Sequence, residues 1–234
     1  MKALYFSPVG AGAERYLDSV LDALRSDQEC EVHAQLCTYG GIDLTPWFDR
    51  ASVVTDPHCG LAQHAQRYLT PIRVEDYDLI LFWVDDLALV PGWSWREYRK
   101  IHLRNRLEVS MPALAEGSCE RDSRLHDCTR RQPGIGRLTD FIELGMGNVF
   151  TREAWLKLWP HLDRAENFYG WGYDVLMRSI CGYERMGVID AQPILHTRTS
   201  SEGNDEEKNR DKDELISRYP DAQLAQGVVL GELV

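Results

Sequence analysis

The chain has 234 residues, 44% of them hydrophobic, which suits one large packed core and excludes a disordered chain. Its 37 acidic against 26 basic residues give a formal net charge of -11, which excludes the broad basic footprint of nonspecific nucleic-acid binding and weighs against docking on anionic membranes. No apolar run approaches the roughly 18 residues of a membrane span, and no signal-peptide stretch opens the sequence. The six cysteines, Cys30, Cys37, Cys59, Cys119, Cys128 and Cys181, lack paired C-x-x-C spacing. They read as reduced thiols in a cytoplasmic protein, with no zinc cluster.

Residues 2–7 predict a first strand. Pro8-Val9-Gly10-Ala11-Gly12-Ala13 predicts a turn, and 14–25 carries helical spacing through Tyr16, Leu17, Val20, Leu21 and Leu24. Residues 30–38 predict a second strand, ended by Tyr39-Gly40-Gly41. This β-α-β opening favours a parallel sheet. The turn is Gly-x-Gly, with no third glycine and no P-loop lysine, so it reads equally as a tight strand-to-helix connection. Backbone amides at a helix start still suit a phosphate, and Ser7, Pro8 and Val9 are the candidate nucleotide-binding residues.

Residues 61–69 predict a short helix. The segment Tyr77-Asp78-Leu79-Ile80-Leu81-Phe82-Trp83-Val84-Asp85-Asp86 then places six consecutive apolar residues before two acids. The apolar run reads as an interior strand covered on both faces. Packing alone does not end such a strand in two acids, because adjacent carboxylates repel and want water or a cation. Ligands of α/β sheets bind beyond the carboxyl ends of the strands. Asp85 and Asp86 are thus candidate ligands for a divalent metal, which would grip a phosphate. Trp83 is a candidate substrate contact.

Residues 95–107 predict a helix and 109–114 a strand. Residues 115–138 are polar and contain five arginines, which reads as an inserted loop, either solvated or able to close on a phosphate. Residues 139–149 return to apolar character. Glu143 interrupts what reads as a strand there, and so is expected to be paired or ligand-facing. Thr151 caps a helix. Phe168-Tyr169-Gly170-Trp171-Gly172-Tyr173-Asp174 precedes a helix over 175–182. Short apolar segments follow at 188–190 and 193–196, the latter ending in His196. Residues 200–212 read as a charged linker before a helix near 214–218. The expected division is a domain over 1–199 and a linker with a C-terminal helix and tail over 200–234.

Four groups therefore stand out: the acid pair, Glu143, Asp174 and His196. A helix start favours the ionised form of Asp174, and the glycines before it would allow close approach to a ligand. Trp171, Tyr169 and Tyr173 offer flat faces that suit a sugar. His196 is a good third metal ligand beside carboxylates. Each residue alone also reads as a cap, a strand end or packing. Their combination in one α/β frame fits metal-assisted transfer from a nucleotide sugar, in which a carboxylate deprotonates the acceptor hydroxyl.

These residues resemble those of GT-A glycosyltransferases, which carry an Asp-x-Asp metal motif after a strand and, in several inverting members, Gly-Trp-Gly ahead of acidic residues. The chain is more closely similar to a family known in plants as lysine-ketoglutarate-reductase trans-splicing-related proteins, itself similar to GT-A enzymes. The matching segments are Trp83-Val84-Asp85-Asp86, Pro112-Ala113-Leu114, Glu143, Val149-Phe150-Thr151-Arg152-Glu153-Ala154-Trp155, Trp171-Gly172-Tyr173-Asp174, Gly187-Val188-Ile189-Asp190 and His196. Val84 departs from the pattern at the first acid, which puts metal dependence in question.

The resemblance implies a single GT-A-like α/β domain with a mixed, mostly parallel central sheet. It implies a glycosyltransferase using a nucleotide-sugar donor, a UDP-sugar for preference, and a hydroxyl acceptor, saccharide or small molecule. Asp86 and His196, with Asp85 assisting, would hold Mn2+ or Mg2+. Asp174 would be the base of an inverting reaction, with Glu143 the second candidate. Trp171, Gly172, Tyr173 and Trp83 would meet substrate. Two rivals remain open: a metal-dependent phosphohydrolase of nucleotide or sugar phosphates, and a nucleotide-sugar-binding protein without turnover.

Overall fold

The computed structural model describes residues 1–57, 60–119, 124–162, 167, 170–198 and 205–234. Tyr169, expected to offer a sugar-stacking face, lies outside the described residues, as do 200–204 of the expected linker. In chain order the elements are β1 (Lys2–Gly10), α1 (Glu14–Arg25), β2 (Glu31–Gly40), β3 (Ser52–Thr55), α2 (Leu61–Tyr68), α3 (Pro71–Val74), β4 (Leu79–Phe82), β5 (Leu87–Leu89), α4 (Trp95–Arg104), β6 (Val109–Leu114), α5 (Arg124–Asp127), β7 (Arg137–Thr139), β8 (Asn148–Thr151), α6 (Arg152–Leu158), α7 (Tyr173–Cys181), β9 (Met186–His196), α8 (Asp205–Ser217) and β10 (Val229–Glu232).

The strands form one mixed sheet in the order β10-β7-β9-β6-β8-β4-β1-β2-β3, with β5 paired to β9. Strands β3, β2, β1 and β4 make a parallel block. Strand β8 inserts antiparallel between β4 and β6, and β6 is parallel to β9. The chain moves outward from β1 to β2 and β3, then returns to lay β4 on the other side of β1. The gap between the ends of β1 and β4 is therefore a topological switch point, where open α/β sheets bind ligands.

Strand β1 runs three residues further than the sequence predicts. Ser7, Pro8 and Val9 are buried inside it, so the turn starts only after Gly10. Proline in a central strand normally removes a ladder bond. Here Phe6 O accepts from Trp83 N–H on the β4 side, and alternation turns the Pro8 nitrogen to that same side. Strand β4 ends at Phe82, opposite Phe6, so the missing N–H has no strand to serve. Ser7, Pro8 and Val9, the expected nucleotide contacts, are thus placed inside the strand, ahead of the turn.

Other differences have equally local causes. Residues 140–147 form a loop between β7 and β8, not a strand, because Gly145 and Gly147 take φ of 93° and 73° and reverse the chain. The buried Asn148 clamps that loop, its Oδ1 accepting from Gly145 N–H at 2.5 Å and its Nδ2 donating to Glu143 O at 3.0 Å. The segments 188–190 and 193–196 are one strand, β9, which pairs with β6 first and β5 last. The C-terminal helix is longer than expected, and the tail supplies β10 as an edge partner of β7. Thr151 caps α6 as the sequence indicates, accepting from Ala154 N–H at 3.1 Å.

Helix α4 covers a buried polar chain. His102 Nδ1 lies 2.8 Å from Ser110 Oγ, which lies 2.9 Å from the Tyr98 hydroxyl. Burial alone pushes the His102 imidazole down to about 3. The unfolded chain protonates near 6.5, so below that pH it binds a proton that the folded chain refuses. Stability is full above about pH 6.5 and falls by about 1.4 kcal/mol per unit between pH 6.5 and 3. The stability lost between pH 7 and pH 5, measured by urea unfolding, is expected to be about 2 kcal/mol larger in the wild type than in His102→Gln. Equal losses would refute it.

Candidate active site

The acid pair stands just past β4, at the switch point. Asp85 reaches back across the gap. Its Oδ2 accepts from Gly10 N–H at 2.7 Å and from the Tyr39 hydroxyl at 3.0 Å. The Tyr39 ring crosses Gly10 so closely that a Cβ there would lie 2.4 Å from it, so this seat needs glycine. Asp85 Oδ1 accepts from Arg198 Nη2 at 2.6 Å. Burial raises the Asp85 carboxyl above its ordinary range, against the lowering pull of Gly10 N–H and Arg198. Burial and the Asp85 charge likewise raise the Tyr39 phenol.

Asp86 faces the end of β9. Its carbonyl accepts from Thr197 N–H at 2.9 Å and from Thr197 Oγ1 at 2.8 Å. Leu87 pairs with His196 in the β5–β9 ladder, so the two chains meet at fixed register. His196 is pinned further by Ser118, whose Oγ lies 3.1 Å from the His196 amide, and by Cys119 N–H donating to its carbonyl at 2.8 Å. His196 Nε2 lies 3.4 Å from Asp86 Oδ2, and Arg198 Nε lies 3.6 Å from the same oxygen. Burial opposes charging of His196, yet Asp86 and the charge of Glu143 outweigh it and hold the imidazole above its ordinary value.

Asp86 Oδ1 is buried without a hydrogen-bond partner. Its other oxygen and His196 Nε2, 3.4 Å apart, are close enough to share one divalent ion at ligand distances of about 2.0–2.2 Å. Asp86 and His196 thus fit a metal. Both Asp85 oxygens carry hydrogen bonds, from Gly10, Tyr39 and Arg198, which tie this carboxylate to β1 and Tyr39. Among the described residues no group of three or more His, Cys, Asp or Glu side chains is placed to hold a metal. Water and ligand oxygens would have to complete the shell.

Glu143 sits on the β7–β8 loop, its Oε2 3.5 Å from His126 Nε2 on α5. His126 in turn packs edge-on against Phe141. The Gly170 and Gly145 backbones both pack on Leu61. A Cβ on Gly170 would lie 3.6 Å from Leu61 Cβ, and one on Gly145 would lie 3.3 Å from Leu61 Cδ2 and 2.9 Å from Val84 Cγ1. The buried Asn167 organises this segment, bonding Gly170 N–H and Trp171 O at 2.7 Å each.

Asp174 opens α7. Its Oδ1 accepts from Gly172 N–H at 3.1 Å and Val175 N–H at 2.9 Å. Burial raises its carboxyl, in opposition to these amides and to Lys212. Gly172 has φ of 98°, and a Cβ there would lie 3.1 Å from Lys212 Cγ, so it approaches α8 closely. Tyr173 is fully buried and donates to His161 O at 2.9 Å. Trp83 is fully buried and packs edge-on against Tyr5 and Trp93. Gly172, Tyr173 and Trp83, the expected substrate contacts, are thus all placed in packed surroundings. Trp171 is half-buried, and the Lys208 ammonium lies 5.3 Å from its ring centroid.

The structure adds Tyr39, Arg198 and His126, which the sequence reading did not assign. Only Arg198 left a trace, as a lone cation two residues after His196.

The architecture is that of GT-A glycosyltransferases. S. aureus TarS residues 1–349, crystallised with UDP-GlcNAc, superposes with a TM-score of 0.62 at 12% identity, covering 97% of this chain and 68% of TarS. The same protein with UDP gives 0.58 at 12% identity, covering 94% and 72%. GalNAc-T7 with UDP, GalNAc and Mn2+ gives 0.62 at 10% identity, covering 93% of this chain and 47% of its own. No curated protein matches the sequence. No helix among the described residues is long and apolar enough to cross a membrane. A family model described as a protein of unknown function, DUF707, matches residues 8–224, and the chain belongs to that family.

Proposed function

We propose that the protein is a glycosyltransferase that moves a sugar from a UDP-sugar to a hydroxyl of a saccharide or small molecule, with inversion and with metal assistance. One observation carries this reading. Asp86, with an unpartnered buried oxygen, meets His196 at the switch point between β1 and β4. The UDP complexes of the structurally similar TarS and GalNAc-T7 support the choice of nucleotide. The likeness to the plant trans-splicing-related proteins, and a cytoplasmic setting, belong to the same reading.

Asp86 and His196 would hold Mn2+ or Mg2+, which neutralises charge on the departing nucleoside diphosphate. Asp174 takes the proton of the acceptor hydroxyl. Its raised carboxyl makes it a stronger base than a solvated aspartate, while the fixed Oδ1 orients the group. Glu143, held by His126, is the second candidate for that proton. Attack on the face opposite the leaving group inverts the anomeric carbon.

Incubation with UDP-sugars and simple saccharides, followed by UDP release and product mass, tests the reading. UDP release that rises with acceptor, with one sugar added to the product, is expected. Release of UMP with sugar 1-phosphate, or of inorganic phosphate, indifferent to acceptor would replace this reading with phosphohydrolysis. Donor binding with no release would replace it with a binding protein.

A further inference from the structure

Arg198 lies across the switch point. Its Nη1 donates to Ala11 O at 3.1 Å on the β1 side, in the turn that leads into α1. Its Nη2 holds Asp85 on the β4 side at 2.6 Å, and its Nε stands 3.6 Å from Asp86. Its side chain remains 43% exposed, so donors are left for a ligand. Two carboxylates facing this gap would repel a diphosphate unless a cation stands between them. Guanidinium is the side chain best suited to phosphate, because its planar fork presents paired donors and its charge is permanent.

We propose that Arg198 grips the diphosphate of the donor at the gap between β1 and β4, so that the protein holds the nucleotide without a divalent ion. This rests on the nucleotide-sugar reading and adds to it a phosphate-binding residue. Asp85 keeps the guanidinium aimed while the site waits. When the diphosphate arrives, Arg198 exchanges part of its hold on the carboxylates for phosphate oxygens. Departing charge is then neutralised from the chain itself, and a metal on Asp86 and His196 adds to a grip already present.

Calorimetric titration of UDP in EDTA and in Mn2+, on wild type, R198A and R198K, tests this. Wild type is expected to bind UDP in EDTA. R198A is expected to bind about 10- to 100-fold more weakly in EDTA and to regain most of the loss in Mn2+, with R198K between them. Regain in Mn2+ separates lost charge from a damaged site. The proposal is overturned if R198A binds UDP in EDTA as wild type does, if its loss persists in Mn2+, or if wild type binds UDP only with Mn2+. In the last case the nucleotide-sugar reading survives. Wild type that binds no UDP under either condition would sink that reading itself. Should R198A fail to fold, R198K decides: affinity in EDTA equal to wild type overturns the proposal, and a loss of about 3- to 10-fold supports it.

Discussion

Asp86→Ala is expected to lower kcat on the order of 10^3-fold without lowering the melting temperature. The two effects separate because the backbone and side chain of Asp86 do different jobs. Its carbonyl accepts both bonds from Thr197, and alanine keeps that carbonyl. Among the described residues one oxygen of its carboxylate is buried without a partner, and the other meets His196 and Arg198 only at 3.4 and 3.6 Å, so the cost of the first offsets the gain of the second. What the variant loses is the carboxylate that faces His196 and the diphosphate. Steady-state kinetics beside a thermal melt checks both halves. A kcat within threefold of wild type would remove Asp86 from the chemistry, and a melt lowered by many degrees would make it a structural residue.

Asp174→Asn is expected to lower kcat by about 10^2- to 10^4-fold, the usual cost of losing a general base. The substitution is clean, because an asparagine Oδ1 can still accept from Gly172 and Val175 amides and keep the start of α7 in place. A pH profile adds a second test. Only the ionised carboxylate accepts a proton, so wild-type kcat falls as pH drops through its pKa. Burial raises that pKa, which moves this acid limb to higher pH than a solvated aspartate would give. The limb should vanish in Asp174→Asn. If that variant keeps full activity while Glu143→Gln loses it, the base is Glu143.

Much of the fold was legible because burial leaves a plain mark on sequence. The apolar run into Asp85 and Asp86 gave β4 and its acid tip, and the spacing of Leu17, Val20, Leu21 and Leu24 gave α1. The meeting of Asp86 with His196 was anticipated from residue type. The sequence was harder to read where side-chain chemistry and position part company. Trp83 and Tyr173 look like ligand-facing aromatics in one dimension, yet both are packed inside. Pro8 and Val9 look like a turn, because proline rarely sits in a central strand; only the early end of β4 makes it acceptable. Tyr39 and Arg198 were hard to place for another reason. Each reaches the acid pair from a distant part of the chain, and neither sits in a local pattern that points there.

The bond from Arg198 to the Ala11 carbonyl joins positions 187 apart in sequence. A contact that spans nearly the whole polypeptide closes only after the intervening strands have found their places, since the entropy of so long a loop must first be overcome. During synthesis Asp85 and Asp86 therefore emerge well before the cation that balances them. A ribosome-bound fragment ending before β9 can lay down β1, β2 and β4 yet has neither His196 nor Arg198 at the gap between them. On the proposed reading, competence to hold a donor would arrive only once β9 and Arg198 are made, so that a fragment ending before them would not sequester nucleotide sugar.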